Sequence, residues 1–301
     1  MSGGGVRNPE PVVPRPGVPR PVVPELFAGL CDDAAMFPPG NLPAERAVPA
    51  HRGHRASWYA PLVGPFLVGA AQLAAVGRAG DPGPVVLVLP GGPETLGPAL
   101  AAAQAAGLRV VGAELACGPG GHPVEAVKAL DAMLPELPAA GVVEIPRDQD
   151  LEAALDAVAD SRHRAKLRTG GTVAEAFPSV DELARFVRGC VARGLPFKCT
   201  AGLHRAVRHT DPRTGFTHHG FLNILAATYA ALDGADPARV RSVLDERDGR
   251  VLAAQLRRLS DHQVHSVREM FTAYGTCDIA EPLHDLAALG LIAHHDSTEP
   301  A

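Results

Sequence analysis

Basic charge is in short supply in this sequence. Lys and Arg number 28 against 33 Asp and Glu, a formal net charge of −5 over 301 residues. That leaves no electropositive field to draw a nucleic acid, so this class of partner is set aside. Cysteine is also sparse. Cys31, Cys117, Cys190, Cys199 and Cys277 are odd in number, scattered, and include no C-x-x-C pair. Neither a disulfide framework nor a zinc ribbon is expected, and reduced thiols in a cytoplasmic protein fit best. No apolar stretch of 18 residues occurs, so no membrane-spanning helix is expected, and the N-terminus lacks the apolar core of a secretory signal. A G-x-G-x-x-G turn is missing after the first apolar run, which argues against dinucleotide binding.

What is present is 46% hydrophobic residue, enough for one large domain. Residues 1–24 carry proline every few positions with no period, which predicts a disordered or polyproline-like tail. From residue 25 to 295 short apolar runs alternate with Ala/Leu-rich helical stretches. The runs are 26–31, 65–70, 85–90, 108–115, 141–145, 164–169, 196–201 and 269–276, each the length of a buried parallel strand. Helices are expected over 93–106, 124–134, 151–161, 180–193, 220–232, 239–259 and 280–289. The clearest is 180–193, with Ser179 and Glu182 as a capping box and Gly194 as its stop. Eight strands alternating with helices predict an α/β fold, a (β/α)8 TIM-type barrel with extra helices before the last strand. An open doubly wound sheet is the alternative. Residues 296–301 are expected to be a disordered end.

In a barrel, alternate strand residues point inward and sites gather where the strands end. Lys166 and Arg168 share parity in Arg164–Gly171, as do Lys198, Thr200 and Gly202 one strand later. Two lysines on neighbouring strands are thus expected to project into one cavity. Thr169, Gly170 and Gly171 read as a loop where backbone N–H groups approach a phosphate or carboxylate, with Arg168 as a further anion ligand. A lysine attacks a carbonyl only as the neutral amine, and a nearby cation favours that form. Lys198 and Arg168 are therefore expected to depress the pKa of Lys166. Glu144, in the fifth run, is placed to move protons for it, and Glu114 is similar in the fourth; either also suits a structural ion pair.

Lys166 and Thr169-Gly170, then Lys198 and Ala201-Gly202, resemble the two lysine strands of deoxyribose-phosphate aldolase. That family has its Schiff-base lysine on strand six, in a K-T-x-T-G setting, and a second lysine on strand seven before a small-residue and glycine run. The separation, 198 − 166 = 32 residues, is similar. Several other class I aldolases and dehydratases also place the imine lysine on strand six. The resemblance covers residues 164–204 and implies a Schiff-base aldolase or lyase with Lys166 as nucleophile and Lys198 as its tuner. Leu167-Arg168 replace the family's small polar residues, and His204 stands where it continues with a basic residue. Arg168 points to a carboxylate or phosphate on the substrate.

Other candidates are Asp32 and Asp33, expected just after the first strand as metal ligands or a general base, with Asp33 also a substrate ligand. His204, His209, His218 and His219 surround a polar segment that reads as an active-site loop or lid. Tyr274, Thr276, Cys277 and Asp278 end the last strand; Thr276 or Cys277 would complete a phosphate site, and Cys277 is a candidate nucleophile. The expected activity is thus a lysine-dependent aldolase, lyase or dehydratase acting on a small oxo-acid or sugar phosphate, with no cofactor. A metal-dependent barrel hydrolase or lyase using Asp32, Asp33, Glu144 and the histidines, and a non-catalytic anion-binding barrel, are the alternatives. A small anionic carbonyl compound is the expected partner, and homodimerisation through barrel helices the default.

Overall fold

The computed structural model describes residues 23–118, 120–133 and 140–292. The proline-rich tail, up to residue 22, and the expected disordered end over 296–301 lie outside the described residues. Eight parallel strands close into a barrel: β1 (Cys31–Asp33), β2 (Val63–Gly69), β3 (Pro84–Leu89), β4 (Arg109–Leu115), β5 (Val142–Glu144), β6 (Arg164–Arg168), β7 (Phe197–Thr200) and β10 (Phe271–Thr276). β1 pairs with both β2 and β10, so no edge is left unpaired. Helices α1 (Ala44–Ala56), α2 (Leu73–Ala79), α3 (Leu96–Ala105), α4 (Pro123–Met133), α5 (Leu151–Ala159) and α6 (Val180–Ala192) connect successive strands up to β7.

Between β7 and β10 the chain makes a short hairpin, β8 (His209–Thr210) with β9 (Thr217–His218). It then forms α7 (Phe221–Leu232), α8 (Pro237–Asp245), α9 (Gly249–Leu256) and α10 (Asp261–Met270), and α11 (Ala280–Ala288) follows β10. These are the extra helices. The single helix expected over 239–259 is two, because Asp248 accepts the Arg250 N–H at 2.8 Å and starts a new helix, α9. The Ser260 capping box opens α10, whose last turn takes in Glu269 and Met270 and so delays the last strand to Phe271.

The core lies between barrel and helices. On α6 the predicted capping box is formed, and Leu183, Phe186, Val187 and Cys190 are buried beneath it. Each large apolar side chain so buried contributes about 1.5–3 kcal/mol. Phe186 packs edge-on against Phe197, which stacks on Phe271, and Phe221 of α7 stacks on Tyr274. These contacts turn Phe197 and Tyr274 outward and leave Lys198, Thr200 and Gly275 facing the barrel interior.

One strand boundary matters for function. The first strand, expected over 26–31, lies at Cys31–Asp33, because residues Glu25–Phe27 form a 3-10 turn and Gly29 bends the chain with φ +60°. Asp32 and Asp33 therefore sit within the strand, and the period of two sends their side chains to opposite sides.

Candidate active site

Inside the barrel five charged side chains form one chain of ion pairs. Lys166 Nζ lies 2.9 Å from Glu114 Oε2 and 2.9 Å from Glu144 Oε2. Lys198 Nζ lies 2.5 Å from Glu114 Oε1 and also donates to Asp32 Oδ2. The order is Glu144–Lys166–Glu114–Lys198–Asp32. Glu114 is on β4, separated from β6 and β7 around the wall, so these contacts cross the interior. Lys166, Lys198 and Glu114 are 2%, 3% and 1% exposed. The outer carboxylate, Glu144, has a side chain 25% exposed.

The electrostatics reverse the expected tuning of Lys166. Burial disfavours its ammonium, but Glu114 and Glu144 outweigh burial and hold its pKa above that of a free lysine. Lys198 is likewise held up, by Asp32 and Glu114 against burial. The two lysines do not depress each other because a shared carboxylate lies between them. Burial opposes ionisation of Glu114 too, yet the two ammoniums bring its pKa down to about 2. Glu144 is also lowered; Lys166, aided by Arg168, overcomes its burial. Asp32 moves the other way, since burial outweighs the Lys198 ammonium and raises it.

The chain of charges runs along the barrel axis. Glu144 ends β5 and opens into a cleft of about 280 Å³ at the C-terminal ends of β3, β4 and β5, lined also by Pro90, Cys117 and Pro146. Arg168 is the exposed last residue of β6 and its charge reaches Glu144. Thr200 faces the interior beside β10, where a Cβ on Gly275 would fall 3.2 Å from its Oγ1. After β7 the backbone turns through Ala201 and Gly202, with φ +63° and +73°. Ala201 takes a left-handed conformation costly for a residue with a Cβ, the kind of strain that gathers at functional sites.

Several expected site residues are placed elsewhere. Thr169 Oγ1 donates to Ala201 O at 2.7 Å and Thr200 O at 3.1 Å, fastening β6 to β7 instead of meeting a ligand. A Cβ on Gly170 would fall 2.8 Å from Gly202 Cα, and one on Gly171 2.6 Å from Ala176 Cβ. These glycines are needed for close packing of chain on chain. Asp33 points away from the interior, to His51 Nδ1 of α1 at 2.9 Å, and accepts the Ala35 N–H, so it is a strand-to-helix tie. His204 Nδ1 lies 3.0 Å from Glu281 Oε2 and 3.5 Å from Cys277 Sγ. Burial and the neighbouring carboxylates push the Cys277 thiol up to about 11, against a nucleophilic role. Thr276 Oγ1 donates to Asp278 O at 3.0 Å, so it serves the turn.

His209 stacks on His218 in the hairpin, and His219 binds Pro178 O. Neither Asp32 nor Glu144 shares a site with them. Among the described residues no group of three or more His, Cys, Asp and Glu is arranged to hold a metal ion, which removes the donor set of the metal-dependent reading. Asp32 and Glu114 carry more of the site than the sequence assigned to them. The signal for Glu114 was a lone carboxylate in the apolar strand Arg109–Leu115.

No family profile and no curated protein matches this chain. Solved structures similar to it include a prophage protein of the dihydrodipicolinic acid synthase family from E. coli K12 in complex with pyruvate, at 16% identity and TM-score 0.41, covering 82% of this chain and 88% of that one. A mandelate oxidase with (S)-2-phenylpropionate matches at 13% identity and TM-score 0.39, covering 81% and 75%. An aldolase designated QR15 matches at 10% identity and TM-score 0.32, covering 89% and 97%. Likeness this distant does not bear on activity, since barrels host many chemistries. The architecture rests on the strand order itself: this chain is a (β/α)8 barrel.

Proposed function

We propose that the chain is a lysine-dependent lyase of the aldolase or dehydratase kind, in which Lys166 forms an imine with a small oxo-acid or sugar phosphate. The observation that carries this reading is a lysine sealed in the barrel between two carboxylates 2.9 Å away, one of which opens into the C-terminal cleft. An imine lysine needs such neighbours, because each step moves a proton.

At rest Lys166 is an ammonium, so attack waits on transfer of a proton to a carboxylate. Glu144 is the accessible acceptor. Its basicity is suppressed partly by Arg168. A substrate carboxylate or phosphate that engages Arg168 neutralises that charge and makes Glu144 a better base as the carbonyl arrives. The freed amine then adds to the carbonyl carbon. A proton passes from the added nitrogen to the former carbonyl oxygen, Glu144 gives its proton to the same oxygen, water departs, and the iminium is left beside Glu114. The iminium accepts the electron pair of an adjacent C–C or C–H bond as that bond breaks. Lys198 keeps Glu114 ionised and in place throughout.

The test is reductive trapping. The protein is incubated with pyruvate, longer 2-oxo acids, aldehydes and sugar phosphates under sodium borohydride, and the peptide containing Lys166 is weighed. A stable adduct on Lys166, lost in Lys166→Ala with the circular dichroism unchanged, is expected. Labelling of Lys198 alone, or no adduct with any carbonyl, overturns the proposal.

A further inference from the structure

The other end of the barrel is open as well. A cavity of about 380 Å³ enters from the N-terminal ends of the strands and reaches the inner half of the charge chain. Its walls include Val63 to Pro65 at the start of β2, Pro84 and Val86 of β3, Val142 of β5, Arg164 of β6 and Thr272 and Ala273 of β10, while Lys198, Glu114 and Asp32 lie at its inner end. Barrels of this kind are ordinarily filled by layers of branched side chains. Here Gly64, Gly112 and Ala273 leave that layer incomplete. Gly64 has a definite reason to lack a side chain, because a Cβ would fall 2.2 Å from Asp32 Oδ1. The volume is within the range of small-ligand sites.

We propose that this N-terminal mouth is a second ligand site, and that it takes a short linear carboxylate with a carbonyl or hydroxyl oxygen at the end far from the acid group. Each part of that ligand answers a feature of the cavity. Arg164 is half-buried in the wall, and among the described residues its side chain makes no ion pair or hydrogen bond. A partly desolvated guanidinium with no hydrogen-bond acceptor among the described residues, its charge felt by Asp32, matches a carboxylate. Exposed Arg55, whose Nη1 donates to Val63 O at 2.7 Å, adds positive charge at the same mouth.

The middle of the cavity is aliphatic, with Pro65, Val86, Val142 and Ala273, and suits a methylene chain. At the inner end Lys198 has two acceptors among the described residues, Asp32 and Glu114, whereas an ammonium has three donors. The remaining donor, and the carboxyl of Asp32, suit a ligand oxygen. Lys198 is in register with Lys166, and Arg164 lies two residues before Lys166 on the same strand, so the two cations belong to different levels of the cavity. A cavity of about 380 Å³ has room for a ligand of about four or five carbons. Because Lys198 and Lys166 share Glu114, an occupant of this mouth touches the charge chain that ends at the opposite cleft.

The probe is 4-hydroxybutyrate, which forms no imine, with 4-oxopentanoate beside it and butyrate and inorganic phosphate as controls. Binding to the full chain is measured by titration calorimetry and by the rise of the melting temperature with ligand. Saturable binding of both oxygenated acids is expected, with butyrate weaker. Arg164→Gln is expected to weaken it about tenfold or more. Val86→Phe, which fills the cavity, is expected to abolish it, while Ala116→Phe, at a residue that lines the opposite cleft, is expected to leave it intact. Crystals of the unmodified protein soaked in 4-hydroxybutyrate provide a readout that needs no variant: density spanning Arg164 and Lys198 is expected. Density at the C-terminal cleft instead, equal binding of phosphate, or no saturable binding at tens of millimolar overturns the proposal.

Discussion

Lys166 and Lys198 stand side by side on neighbouring strands, in register and equally buried, yet they belong to opposite halves of the barrel. Lys166 reaches up to Glu144 and the C-terminal cleft, and Lys198 reaches down to Asp32 and the N-terminal cavity. Among the described residues only Glu114 is common to both. Two lysines that look equivalent along the chain thus differ in what each acid beside them can exchange with. The upper acid is kept ionised by two cations and meets solvent; burial biases the lower one towards its protonated form. On the proposed reading, that difference suits the upper lysine to proton transfer and the lower one to a supporting role.

The comparison is broken most severely at its shared member. Glu114→Gln leaves two buried ammoniums with one acid each, and removing one partner of a buried pair costs about 3–5 kcal/mol. Denaturant unfolding at pH 7 is expected to show a loss of that size. The folded pKa of Glu114 is lowered from 4.5 to about 2, so its contribution is complete above 4.5 and disappears as pH falls towards 2. The displacement corresponds to about 3 kcal/mol. The stability gap between Glu114→Gln and the unmodified protein is therefore expected to close across that window; a gap constant with pH would show that the ion pairs are not its source.

A smaller effect separates the upper acid from the shared one. Glu144→Gln removes a charge that raises Lys166 and also removes the proposed proton acceptor. The pH profile of borohydride trapping is expected to move to lower pH while its maximum falls about 10²-fold or more. A profile that stays in place would detach Glu144 from Lys166 in function. The smallest effect is expected at Asp33, the neighbour of Asp32 that points the other way. Asp33→Asn weakens its bond to His51 and is expected to cost about 1–2 kcal/mol in thermal unfolding while trapping at Lys166 is unchanged. Loss of trapping in that variant would place Asp33 in the site after all.

Much of this architecture was legible along the chain. Apolar runs of strand length, spaced by helical stretches with recognisable caps, mark seven of the eight barrel strands within about two residues, because burial on both faces of a parallel strand leaves an uninterrupted hydrophobic signature. Strand parity also placed Lys166, Lys198 and Arg168 on the inner side. The first apolar run does not coincide with a strand, because Leu26, Phe27 and Leu30 are buried without being extended. The inward direction of Asp32 follows only once Cys31–Asp33 is the strand.

What the sequence by itself determined is therefore the alternation of strands and helices and the side of each strand on which its charges lie. These are local properties, governed by backbone period and by which residues avoid water. Tertiary structure alone decided that Glu114 reaches across to two lysines, that Asp32 and Glu144 lie at opposite ends of one chain of charges, and that Lys166 is more basic instead of less. Those outcomes depend on distances between strands far apart in the sequence. At separations near 3 Å in a buried interior, which carboxylate stands nearest decides the state of the amine.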